Sequence, residues 1–84
     1  MIYGIVDPED DSVFYVGHTS RFDLRRKQHL QGGDTLSGLR IRQIKRRGAT
    51  PLFIQLEICG TRQAAQLGEI FWMETFRCRG TALT

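Results

Sequence analysis

The chain is short of several things, and each shortage narrows what it can be. Its two cysteines, Cys59 and Cys78, are too few for a disulfide framework and lack metal-ligand spacing. Two prolines in 84 residues, with 40% hydrophobic and 25% charged residues, exclude disordered, collagen-like and low-complexity chains. No apolar run approaches the roughly 20 residues of a membrane span. No basic-then-apolar leader opens the N-terminus, so the expected compartment is the cytoplasm, with no membrane partner. Nothing resembling a linker or a repeat divides the sequence. One domain over residues 1–84, with a single small core, is the expected organisation.

Arginine is what the chain has in quantity, and it is unevenly placed. Residues 1–20 carry Asp7, Glu9, Asp10 and Asp11 and no lysine or arginine. Residues 21–47 then carry Arg21, Arg25, Arg26, Lys27, Arg40, Arg42, Lys45, Arg46 and Arg47 against Asp23 and Asp34 alone. The remainder is balanced, and the formal net charge is +3. Such a stretch suits the neutralisation of phosphate, and the planar guanidinium fork suits phosphate better than a lysine point charge. The nucleic-acid-binding candidates are therefore Arg21, Arg26, Lys27, Arg40, Arg42, Lys45, Arg46 and Arg47. A solvated helical face is the competing reading.

Two runs rich in Ile, Val, Tyr and Phe, Ile2–Val6 and Val13–Gly17, flank the turn-forming Asp7-Pro8-Glu9-Asp10-Asp11-Ser12, which predicts a β-hairpin. A turn centred near Glu9 sets Tyr3 opposite Tyr15 and Ile5 opposite Val13, with both phenols on one face. Thr19 or Ser20 is the expected cap of a helix over 21–31 that stops at Gly32-Gly33. A second helix is expected to start at Asp34 or Ser37 and run to Arg47, with Gly48 ending it. Pro51 opens a strand to Ile58 with Leu52, Ile54, Leu56 and Ile58 on one face. Thr61 caps a third helix to about Cys78, closed by Gly80, with Ala64, Ala65, Leu67, Phe71, Trp72 and Phe76 as its apolar stripe. The order β-β-α-α-β-α, with helices packed on a small three-stranded antiparallel sheet, is an α+β domain.

Three polar features stand out. Tyr3 and Tyr15 lie on neighbouring strands, although cross-strand aromatics also serve a sheet as packing. Arg25 and His29 are four apart, hence on one face of the first helix. Glu69 sits among Leu67, Ile70, Phe71 and Trp72, where a carboxylate is either partnered or a ligand for a hard cation. Hydrolysis of a phosphodiester needs a base for water, cationic help for developing charge and usually a metal held by carboxylate. These residue types can supply all three, but their spacing alone names no reaction.

The order of the motifs is more informative. Ile2-Tyr3-Gly4-Ile5 is followed by Tyr15-Val16-Gly17, with eleven residues between Tyr3 and Tyr15, then Thr19, Arg25 and His29. Farther on, Gly48-Ala49-Thr50-Pro51 leads into a strand, and Gly68-Glu69-Ile70-Phe71-Trp72 places tryptophan three residues after a glutamate. This resembles the GIY-YIG nuclease family over nearly the whole chain. The resemblance implies a magnesium- or manganese-dependent DNA endonuclease cutting one strand per site. It implies Glu69 as the sole carboxylate ligand of the metal and Tyr3 as general base or water-orienting group, its phenolate stabilised by nearby positive charge. Tyr15 would bond the water or phosphate, Arg25 would brace the scissile phosphate, and His29 would bond Tyr3 or phosphate. His18 lies near this site with no role assigned to it. Double-strand cleavage would need a second copy, and sequence targeting a separate DNA-binding domain. Relatives usually carry an asparagine shortly after the acidic helix, behind a small hydrophobic run that Ala82-Leu83-Thr84 resembles. The expectation is that this asparagine either lies beyond Thr84 or is missing. A non-catalytic nucleic-acid-binding module on the same scaffold, and an interaction domain with an incidental basic face, are the alternatives.

Overall fold

The fold is that of a computed structural model, whose described residues are 1–78. Gly80 and the Ala82-Leu83-Thr84 run lie outside the described residues. The elements are β1 (Ile2–Asp7), β2 (Ser12–His18), α1 (Phe22–Leu30), α2 (Leu36–Arg46), β3 (Leu52–Glu57) and α3 (Arg62–Cys78). The strands pair antiparallel in the order β2-β1-β3, so the α+β topology is the one expected. None of the described helices is long and apolar enough to cross a membrane.

β1 is central, and its six residues are all buried because both faces of the sheet are covered. Tyr3, Ile5 and Phe14 pack with Ile41 and Ile44 of α2 and with Phe22 of α1. On the opposite face Ile2, Val6, Val13 and Val16 meet Trp72, Met73 and Phe76 of α3. The layers are thus α1/α2, sheet, α3.

The hairpin register differs from the expected one. Tyr3 faces Gly17, Ile5 faces Tyr15 and Val6 faces Val13, which leaves Phe14 as an extra residue in a bulge. The bulge puts consecutive residues Phe14 and Tyr15 on the α1/α2 face, so Tyr3 and Tyr15 share that face as diagonal neighbours. A second irregularity leaves Leu56 unpaired between Gln55 and Glu57, and Ile58 falls outside β3, exposed. Strict alternation through Ile58 therefore does not hold.

Caps explain the helix boundaries. α2 is capped by Thr35, whose Oγ1 accepts the Gly38 N–H at 3.1 Å, rather than by Asp34 or Ser37. α1 starts at Phe22 without a side-chain cap, because Thr19 Oγ1 accepts the N–H of Arg21 instead. Thr61 caps α3 as expected, accepting from Ala64 at 3.1 Å. In α3 the buried face runs through Ala65, Trp72, Met73 and Phe76, while Leu67, Ile70 and Phe71 face outward. Gly68 faces the sheet at this contact: a Cβ there would lie 2.4 Å from Ile2 Cδ1, so a larger residue would require the Ile2 side chain to shift.

The acidic turn has a structural task that its composition did not disclose. Asp7 is buried, and its carboxylate takes Arg47 at 2.8 Å and Arg40 at 3.1 Å, both reaching from α2 and its end. Burial pushes this carboxyl upward, but the Glu9 N–H and the Arg47 and Arg40 guanidiniums outweigh that and hold it below the usual range. A pKa lowered by folding stabilises the fold above the unfolded carboxyl value of about 3.9, and the contribution is lost as pH falls through the folded value. Asp7→Asn should cost about 2 kcal/mol, less than a fully buried pair because both guanidiniums keep contact with water. Thermal unfolding across pH should show it: a lower midpoint at pH 7, and a smaller further loss below pH 4 than in the parent.

Candidate active site

The α1/α2 face of the sheet carries a buried phenol surrounded by nitrogen. Tyr3 is 1% exposed, and its hydroxyl lies 2.7 Å from His29 Nε2. Arg25 Nε donates to the same oxygen at 3.4 Å. The one-turn spacing of Arg25 and His29 on α1 brings both onto Tyr3. The Tyr15 ring completes the group, 4.8 Å from the His29 ring and 6.0 Å from Tyr3 between centroids. Phe22 and Phe53 close the apolar side around Tyr3 and His29. Tyr3, Tyr15, Arg25 and His29 therefore form one cluster.

Burial sets the protonation states. Tyr3 is pushed up to about 12, chiefly by desolvation and further by the neighbouring Tyr15 phenol, against the opposing pull of Arg25. The expected phenolate stabilisation by nearby positive charge is thus present but outweighed, and the resting group is a neutral phenol. His29 is held below its ordinary value, first by burial and then by the Arg25 charge. At neutral pH its ring is neutral, and Nε2 is free to accept the Tyr3 O–H. The phenol oxygen keeps lone-pair capacity for a further donor.

This cluster opens onto a cleft of about 440 Å³. Tyr15, Arg25 and His29 form one wall, and Gly33, Ser37 and Gly38 the other. Gly38 is obligatory in that wall, since a Cβ there would stand 2.6 Å from backbone atoms of Gly33.

Glu69 lies on the other side of the sheet's β2 edge, where its Oε2 pairs with Nδ1 of His18. The two groups are connected along β2 through its consecutive residues Gly17 and His18. A Cβ on Gly17 would be 2.9 Å from the Tyr3 hydroxyl, and His18 follows roughly 3.8 Å along the backbone. His18 lies near the site in the sequence, but its partner Glu69 is 51 residues away. The position of His18 directly after Tyr15-Val16-Gly17, at the end of a strand, was the available signal.

Several of the basic residues expected to face nucleic acid have internal partners. Arg40 and Arg47 hold Asp7, and Arg47 also meets Glu9. Arg42 donates to the Gly33 carbonyl at 2.6 Å, Lys45 to that of Leu30 at 2.8 Å, and Arg26 lies over the Phe53 ring. Among the described residues, the side chains of Arg21, Lys27 and Arg46 have no ion pair.

A divalent ion suits the carboxylate only if it brings much of its own coordination sphere. Among the described residues no three His, Cys, Asp or Glu side chains gather to hold a metal. Glu69 offers a single, partly exposed carboxylate. That donor set fits magnesium or manganese, which keep several waters and take substrate phosphate oxygens.

Comparison with known proteins returned one family. The family model described as the GIY-YIG catalytic domain matches residues 1–81. Neither the curated proteins nor the solved structures gave a match.

Proposed function

The chain belongs to the GIY-YIG catalytic-domain family, a nuclease-type family, and we propose that it is a DNA endonuclease that hydrolyses one strand per active site with a divalent ion held at Glu69. The observation that carries this reading is the Tyr3 hydroxyl, bonded at once to His29 Nε2 and Arg25 Nε. A neutral phenol with a neutral imidazole behind it is a proton relay. Water accepted by the Tyr3 oxygen passes a proton to it as Tyr3 gives its own to His29 Nε2. The hydroxide so formed adds to phosphorus, the bond from phosphorus to the leaving oxygen breaks, and solvent supplies that oxygen's proton. Arg25, in the cleft wall, would neutralise charge on the phosphate, and Tyr15, beside Tyr3, would orient the water. Magnesium or manganese on the Glu69 carboxylate would supply Lewis-acid neutralisation of the phosphoryl oxygens.

Supercoiled plasmid tests this reading. Nicked circles should form with magnesium or manganese and not with EDTA. Plasmid that is bound but never nicked under either metal would instead indicate a binding module on this scaffold.

The grip on the duplex should fall to the candidate cations that have no ion pair among the described residues, Arg21, Lys27 and Arg46. Each phosphate neutralised contributes about −0.9 to the slope of log K against log salt. Lys27→Ala and Arg46→Ala should each reduce that slope by about one and weaken all sequences alike. Arg47→Ala should lower the thermal midpoint instead, since its guanidinium serves Asp7. Filter binding between about 50 and 200 mM salt, with thermal unfolding alongside, checks both.

A further inference from the structure

The contact between His18 and Glu69 forms where α3 packs on the end of the β1–β2 pair. Ile2 pairs across the sheet with His18, and Gly68 of α3 lies against Ile2. Glu69, the next residue, is thereby delivered to the end of β2. The strand end is itself clamped: the Met1 ammonium donates to the Thr19 carbonyl, and the Thr19 N–H donates to the Met1 carbonyl, each at 3.0 Å. Imidazole Nδ1 then meets one carboxylate oxygen only, Oε2. Both side chains remain partly open to solvent, at 35% and 25% exposure, and Oε1 is not engaged by His18.

We propose that His18 is a positioning residue which, by donating its Nδ1–H to Oε2, leaves Glu69 a one-oxygen ligand and so favours magnesium and manganese over calcium. The proposal rests on the reading of Glu69 as the metal ligand. Its physical basis is the difference in coordination habit. Magnesium takes single oxygens at short, near-octahedral positions and keeps its waters, whereas calcium accepts both oxygens of one carboxylate in a larger and looser sphere. A carboxylate with one oxygen already committed to a donor suits the first habit and resists the second. Fixing the carboxylate plane also spares the ion the entropy of ordering a rotamer-rich side chain.

Manganese binding by the full chain, followed by the loss of the free-ion electron paramagnetic resonance signal, tests this without DNA or turnover. Four proteins are compared: the parent, His18→Asn, His18→Ala and Glu69→Gln. Asparagine presents a side-chain N–H close to the Nδ1 position, and alanine presents none. His18→Ala should weaken manganese binding about tenfold, the lower end for loss of a ligand-orienting partner. Calcium should displace manganese from His18→Ala at lower concentration than from the parent. His18→Asn should recover most of both properties. Unchanged affinity and unchanged calcium competition in His18→Ala would overturn the proposal. So would a His18→Asn protein as weak as His18→Ala, since the imidazole would then act other than as a donor to Oε2. Parent-like manganese binding by Glu69→Gln would instead remove the reading on which the proposal stands.

Discussion

Glu69→Gln should abolish nicking while the domain stays folded and still binds DNA. Glutamine keeps the length and helix propensity of the glutamate in α3, and its amide can still accept from His18. What it gives up is the negative charge that a hard cation requires. The side chain is partly exposed and its partner is a single imidazole, so its loss removes little from the core, which on that face consists of Ile2, Val6, Val13 and Val16. Circular dichroism and thermal unfolding of the variant should match the parent. Plasmid nicking under magnesium should fall below detection, and duplex affinity should stay level or rise slightly as one anion leaves the phosphate's surroundings. A variant that unfolds would mark Glu69 as a structural partner of His18, and one that cleaves normally would remove it from the site.

The second large effect belongs to Tyr3→Phe. Phenylalanine preserves the ring that packs with Ile5, Phe14, Ile41 and Ile44, so the packing change should cost under about 1.5 kcal/mol. The hydroxyl, however, is bonded to His29 Nε2 and is the group through which the proposed relay passes the proton of a water. Its removal should lower the single-turnover rate by about 10²–10⁴-fold, the range for loss of general acid–base assistance. Tyr15→Phe should cost less, because Tyr15 meets His29 through its ring and lies at the cleft wall rather than at the relay. Single-turnover conditions keep product release out of the comparison.

Much of this arrangement was legible in the residues because it depends on local rules. Hairpin, helices and third strand follow from turn chemistry, caps and apolar spacing, and Arg25 and His29 had to share a face. What escaped was decided by contacts between distant segments. The bulge at Phe14 changes the register without leaving a mark in the alternation of β2, because Phe14 and Tyr15 are both aromatic and either could point inward. The rotation of α3 is decided by its packing on the sheet, which puts Gly68 against Ile2 and leaves Leu67 and Phe71, equally apolar in the sequence, facing outward. Asp7 reads as one more turn aspartate until Arg40 and Arg47 arrive from more than thirty residues away. The same long-range encounter takes two of the arginines expected to bind DNA. The partner of Glu69 was hidden for a similar reason, since His18 and Glu69 are 51 residues apart. The protonation of Tyr3 could not be read either: positive charge nearby was expected to favour the phenolate, but the depth of burial decides the balance, and burial wins.

That balance separates two ways of activating water, and the pH dependence of the parent's single-turnover rate tests it most directly. A relay through a neutral phenol to a neutral imidazole is gated by His29 alone. The rate should rise through an apparent pKa below the ordinary histidine value of about 6.5 and then stay flat to pH 9. A rate still climbing tenfold per pH unit between pH 8 and 10, the behaviour of a tyrosinate base with a pKa of about 12, would contradict the relay.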